Sequence, residues 1–148
     1  MVNSPSISDI DTIKKLGLLL NDNFIKTNNI EEIINNKEII GYYILDKLVG
    51  FIIFKKLYET IDILYVVVEP DYRRKGISSK LLNEIIKMDC KHIMLEVNTK
   101  NITAINLYKK NRELFYGSKF QKIKNFAGFR SFSFCNNCIT SARKKGCG

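Results

Sequence analysis

The sequence predicts an α+β domain, one mixed sheet with helices against it, and not a doubly wound parallel sheet. Three observations carry this. Residues 39–45, 48–56 and 60–68 follow one another with short breaks, and each is rich in β-branched and aromatic side chains. Apolar residues at helical spacing lie before and after this block. The resulting order, α-α-β-β-β-α-β-α-β-β, lacks the regular strand–helix alternation of a parallel fold.

Taken in order, Ser8-Asp9 precedes Ile10, Ile13, Leu16 and Leu20, which predicts a helix over 9–20 that Gly17 weakens in its last turn. Thr27, Asn28 and Asn29 can cap a second short helix, 30–36. The three strands come next, with Asp46-Lys47 as the tight turn of an antiparallel meander, and Pro70 stops the third. After a glycine-bearing loop, Leu81, Leu82, Ile85, Ile86 and Met88 predict a helix against the sheet. Residues 92–98 form a fourth strand and 101–111 a further helix. Residues 120–124 and 129–134 suit two more strands. The domain is expected over 1–134, followed by a basic, disordered tail at 135–148.

The chain has 148 residues, enough for one domain with a core that needs no metal or disulfide. No secretion signal and no apolar run of roughly 18 residues is visible, so a cytoplasmic protein with reduced thiols is expected. The net charge of +9 is uneven. Residues 1–108 carry 14 basic and 14 acidic side chains, while 109–148 carry 10 basic and only Glu113. That excess reads either as a patch for an anionic partner or as a solvated tail. Cys135, Cys138 and Cys147 lack a fourth metal ligand, and His92 starts a distant strand, so no metal is expected. Cys90 reads as an unreactive thiol at a helix end.

The most informative stretch is residues 66–82. A buried strand, Val66-Val67-Val68, runs into Arg73-Arg74-Lys75-Gly76-Ile77-Ser78 and at once into a helix. Free N–H groups and the macrodipole at such a helix start suit a phosphate. Gly76 lets the backbone approach closely, and Ser78 is small and able to cap the helix. An ordinary strand–turn–helix connection with solvated basic residues is the plainer alternative.

This stretch resembles the acetyl-coenzyme-A-binding motif of the GNAT acetyltransferases, Arg/Gln-x-x-Gly-x-Gly/Ala, with Arg73, Gly76 and Ser78 in its three places. The preceding Val68, Pro70, Tyr72 and Arg73 are similar to the family's Val-x-Pro-x-Tyr-Arg. A second block, running from Leu95 through Glu96, Val97, Asn101, Ala104 and Ile105 to Leu107 and Tyr108, resembles the family's Leu-Glu-Val-x-x-x-Asn-x-x-Ala-Ile-x-Leu-Tyr. The resemblance covers residues 6–111 and is nearest to the ribosomal-protein-alanine N-acetyltransferases. It implies a twisted, mostly antiparallel GNAT sheet that splays after the strand ending at Val68.

It also implies acetyl-CoA as cosubstrate and an amine acceptor attacked directly in a ternary complex. Glu96 matches the general base that takes the proton of the amine, and a salt-bridged or solvated glutamate is its alternative. Tyr108 matches the general acid for the departing thiolate, and a core tyrosine is the alternative. Asn101 matches the asparagine on the cofactor's arm, or is simply a helix cap. The backbone of Val66, Val67 and Val68 is implied to hold the pantetheine amides, with an N–H near Val68 on the thioester oxygen. Arg73, Arg74, Lys75, Gly76, Ile77 and Ser78 are implied to hold the pyrophosphate.

The family's Gly-Phe turn, Tyr-Tyr loop and acidic last turn are missing after Tyr108, as is Pro-Trp-Ser around residues 24–29. These loops frame the acceptor in the family. Three functions are therefore carried forward: acetylation of a protein's N-terminal amine, with a ribosomal protein as a candidate acceptor; acetylation of a small-molecule amine; and a non-catalytic domain whose basic tail binds nucleic acid.

Overall fold

The computed structural model describes residues 1–98, 105–106, 120–126 and 129–135, and for 96–98 and the last two stretches the backbone alone. Seven strands are described: β1 (Val2–Asn3), β2 (Ile39–Ile44), β3 (Lys47–Leu57), β4 (Thr60–Val68), β5 (His92–Asn98), β6 (Phe120–Phe126) and β7 (Phe129–Cys135). Four helices accompany them: α1 (Ile10–Gly17), α2 (Phe24–Thr27), α3 (Ile30–Asn35) and α4 (Ile77–Ile86). Hydrogen bonding orders the sheet β1-β2-β3-β4-β5-β7-β6. The chain divides into two compact units, residues 1–54 with 65–82 and residues 55–64 with 83–148.

In the first unit β2 and β3 pair antiparallel, from Ile39↔Ile53 to Ile44↔Lys47. The turn between them is Leu45-Asp46, not the expected Asp46-Lys47. Both residues have positive φ, 49° and 62°, as a two-residue turn that follows the twist of its strands requires. Leucine seldom adopts that conformation, so the sequence conceals the turn. β1 is an addition: Val2↔Tyr42 and Asn3↔Gly41 are paired antiparallel, too short a run to show any alternation.

From Leu48 to Phe54 every residue of β3 is buried, the unbroken pattern of a strand covered on both faces. Ile13 and Leu16 of α1, Phe24 of α2 and Ile30 of α3 form a core with Ile39, Leu48, Phe51, Ile53 and Val67. Asn29 caps α3, its side chain accepting from the N–H of Glu32 at 3.2 Å. α1 stops at Gly17, short of the expected Leu20, and a 3-10 turn, Ile7–Asp9, precedes it. The reason is packing: a Cβ on Gly17 would stand 2.0 Å from the ring of Phe24, so the next helix sits directly on this glycine.

In the second unit β4 and β5 run parallel, paired from Thr60↔His92 to Ile63↔Leu95, while β4 continues to Val68 and β5 to Asn98. Lys91 and His92 both donate backbone N–H groups to the Glu59 carbonyl, at 2.7 and 3.1 Å, which sets the entry to β5. β7 pairs antiparallel with β5 from His92↔Cys135 to Asn98↔Phe129, and β6 with β7. The two late strands thus lie where the sequence expects them. Of the expected helix 101–111, only Ile105 and Asn106 fall among the described residues, and both are helical. The tail at 136–148 lies outside them. Among the described residues no helix is long and apolar enough to cross a membrane.

Tyr43 of β2 donates its hydroxyl to the Asp9 carboxylate at 2.9 Å, and Asp9 also accepts from the N–H of Ser6 at 2.9 Å. Burial first, then the Asp9 hydrogen bond and its charge, hold the Tyr43 phenol well above its ordinary pKa of 10.0. The folded state therefore retains a proton that the unfolded chain gives up. This contribution is fully present below pH 10 and is lost as pH rises above it.

Two outcomes are expected. Gly17→Ala should destabilise by about 1–3 kcal/mol in urea unfolding despite alanine's better helix propensity, because the Phe24 ring must move. Tyr43→Phe should flatten the fall in stability between roughly pH 9 and 11.5, read as the difference in urea midpoint from the parent protein across that range.

Candidate active site

The geometry of β4 decides which backbone groups face outward. The N–H of Glu69 donates to the carbonyl of Val49 on β3 at 2.8 Å. A Cβ built on Gly50 would meet the Val67 carbonyl at 2.9 Å, so this carbonyl also faces β3. Successive residues of a strand alternate edges, and the N–H and C=O of Val68 and Val66 therefore leave on the opposite edge. There the Val68 carbonyl accepts from Nε of Arg73 at 3.0 Å. Val67 and Val68 are buried, so their side chains pack while the backbone of the strand end stays available.

Past Val68 the chain makes a 3-10 turn, Pro70–Tyr72, and enters the basic loop. Arg73, Arg74, Lys75 and Gly76 are all exposed. Arg74 has φ 62° and Gly76 φ 77°. For arginine that left-handed conformation costs on the order of 1–2 kcal/mol, and for glycine almost nothing. Among the described residues nothing lies within 4 Å of a Cβ built on Gly76, so the space above the loop is open to them.

α4 starts at Ile77, whose buried side chain, with Leu81, Leu82 and Ile85, anchors the helix. Its first internal bond runs from Lys80 N–H to the Gly76 carbonyl at 3.1 Å. Among the described residues nothing takes the N–H groups of Ile77, Ser78 and Ser79, the orphan donors of a helix start. Ser78 consequently lies inside the first turn, and Gly76 takes the cap position for which the sequence also offered Ser78. Guanidinium and ammonium groups, aligned N–H donors and open space make a donor set that fits the pyrophosphate of coenzyme A.

Lys47 and Glu69, to which the sequence assigned no part in the site, brace this loop together with Tyr72 of the motif. Lys47, first in β3, donates to Oε1 of Glu69 at 3.2 Å, while Oε2 lies 3.0 Å away and is held by charge alone. The hydrogen bond to Glu69 is the main reason the Lys47 pKa is raised. The ring of Tyr72 has the Lys47 ammonium 5.4 Å and the Lys75 ammonium 5.3 Å from its centre. Such exposed contacts contribute about 0.5–1 kcal/mol each. Sequence reasoning also missed Gly50. An isolated glycine in a strand pattern signals close backbone approach, and that signal is present.

The remaining candidates belong to the second block. Glu96 lies on β5 with its backbone opposite Ser131 of β7. Asn101 and Tyr108 lie outside the described residues. The chain matches the acetyltransferase (GNAT) family over residues 15–112, two-thirds of its length and both motif blocks, and belongs to that family. It is thus an acetyl-CoA-dependent N-acetyltransferase.

Solved structures share its fold. The PaiA N-acetyltransferase of Thermoplasma acidophilum, in complex with coenzyme A, is 19% identical with a TM-score of 0.75, covering 91% of this chain and 98% of its own. The diaminobutyrate acetyltransferase EctA of Paenibacillus lautus, with its substrate and coenzyme A, is 17% identical with a TM-score of 0.69 over 92% and 94%. The ribosomal-protein-S18-alanine N-acetyltransferase of Escherichia coli is 18% identical with a TM-score of 0.66 over 90% of each chain. No curated protein matches in sequence. Among the described residues no group of three or more His, Cys, Asp or Glu is placed to hold a metal ion.

Gly50→Ala is expected to push β3 away from Val67 and Val68, destabilising the protein by about 1–3 kcal/mol and weakening coenzyme A binding. Gly76→Ala meets no atom of the described residues, so its cost should be conformational, about 1 kcal/mol. Calorimetric titration with coenzyme A beside thermal unfolding would separate the two.

Proposed function

We propose that this enzyme transfers acetyl from acetyl-CoA to the N-terminal amine of a protein, of the kind acetylated by the ribosomal-protein-alanine enzymes, by direct attack in a ternary complex. The observation that carries the reading is the Leu95-Glu96-Val97 to Leu107-Tyr108 block inside the matched family span, together with a loop whose donors suit a pyrophosphate. Residues 73–78 hold the pyrophosphate, Arg73 partly by fixing the strand end. The free edge at Val66 and Val68 bonds the pantetheine amides, and an N–H near Val68 polarises the thioester carbonyl. Val67 packs behind them, and Asn101 steadies the cofactor's arm.

The step itself balances simply. Glu96, directly or through water, takes a proton from the ammonium form, and the neutral amine attacks the thioester carbonyl. The carbon–sulfur bond then breaks as Tyr108 protonates the thiolate, and the nitrogen, now bonded to the acetyl carbon, releases its surplus proton through solvent to the tyrosinate. No cysteine lies in either motif, which supports direct transfer over an acetyl-cysteine intermediate. The same reading places the enzyme in the cytoplasm, where the buried thiol of Cys90 stays reduced.

A second reading keeps the chemistry and changes the acceptor to a small amine. Its support is the likeness to EctA, solved with L-2,4-diaminobutyric acid.

Mass spectrometry of N-terminal peptides and small amines incubated with enzyme and acetyl-CoA decides between these acceptors. Acetylated peptide at its α-amine is the expected product. Glu96→Gln and Tyr108→Phe should each lower kcat by about 10²–10⁴ with little change in acetyl-CoA binding. Unchanged turnover in both would remove the assigned roles. With a peptide acceptor, kcat/KM should rise with pH through about 8, where the α-amine loses its proton.

A further inference from the structure

Tyr65 of β4 stands three positions before Val68, packed against the core of the first unit with its ring edge-on to Phe24, centres 5.1 Å apart at 76°. Its hydroxyl meets a single described group, the side-chain nitrogen of Asn28 at 3.3 Å. The orientation of that amide is not arbitrary. Nδ2 of Asn28 also lies 2.8 Å from the Phe24 carbonyl and 3.1 Å from the Thr27 hydroxyl. A carbonyl can only accept, so the amide must present its NH2 on this side. The Tyr65 oxygen is therefore an acceptor, and its own proton points elsewhere. Among the described residues no group receives it.

We propose that Tyr65 positions the acetyl acceptor, donating this fixed proton to an oxygen of the acceptor close to the attacking amine. The inference rests on the reading of the site given above. A pantetheine arm that leaves the loop and follows the free edge from Val68 to Val66 carries its thioester toward Tyr65. Tyr65 adjoins Val66 and lies three strand steps, about 10 Å, from Val68.

The pinned phenol also determines what it selects. Because its oxygen is engaged by the Asn28 amide, Tyr65 offers the substrate a donor. It favours amines that carry a carbonyl or carboxylate beside the amino group, such as peptide N-termini and amino acids. A polyamine at neutral pH presents ammonium donors there and gains nothing from it.

The test compares Tyr65→Phe with the parent enzyme on two acceptors: an N-terminal alanine peptide and an alkylamine without any carbonyl. The expected result is a rise of about tenfold in KM for the peptide, the worth of one hydrogen bond. KM for acetyl-CoA, the rate with the alkylamine and the melting temperature should stay as they are, since phenylalanine keeps the ring against Phe24. An unchanged peptide KM, an equal loss on both acceptors, or a shift in acetyl-CoA KM overturns the proposal. A parent enzyme that acetylates the alkylamine better than the peptide overturns it too. If the parent enzyme acetylates no amine at all, the reading of the site falls and Tyr65 with it. An active parent with an indifferent Tyr65→Phe variant sinks this inference alone.

Discussion

The bond between β3 and the end of β4 is the constraint on which the rest depends. Val49 receives the Glu69 N–H at 2.8 Å, and Gly50 leaves room for the Val67 carbonyl. Those contacts occupy one edge of β4 up to its last residue, and alternation then commits Val66 and Val68 to the other. Any side chain at position 50 would push into this seam. A strand end whose outward groups are aimed by its neighbour needs no further device to present a carbonyl and an N–H in line. Arg73 uses the carbonyl to tie the loop down, and the Val68 N–H leaves on the same edge.

The loop is braced from two directions. Ile77 and Leu81 bury the start of α4, while Lys47 reaches from the β2–β3 turn to Glu69 and Tyr72. The first is hydrophobic and insensitive to salt. The second is exposed, screened by ions, and worth little in stability. Its role is orientation: the ammonium group ties Glu69 and the Tyr72 ring to the start of β3.

Much of this architecture is legible in the amino-acid sequence alone. β4 and β5 coincide with the expected strands because β-branched runs closed by Pro70 and opened by His92 leave little choice. The basic glycine loop is legible for a different reason, since its glycine and arginine spacing carries a recognisable pattern. What stays hidden depends on tertiary contact. Leu45 in a left-handed turn contradicts its own propensity. α1 ends at Gly17 because Phe24 lands there, which no window of sequence reports. Tyr65 and Asn28 are 37 positions apart, and neither belongs to a motif. The pairing of an amide with a phenol becomes visible only once α2 is laid beside β4.

The left-handed φ of Arg74 has a consequence for the timing of molecular recognition. A loop that relaxed in the absence of ligand would have to be reshaped at each encounter, and affinity would fall by that reorganisation. Here the unfavourable torsion is part of the fold, set between the buried helix start on one side and the tied-back strand end on the other. The conformational cost is thus met once per folding event and not once per turnover. A binding element built this way behaves as a socket, and exchange of its ligand is left to diffusion and charge.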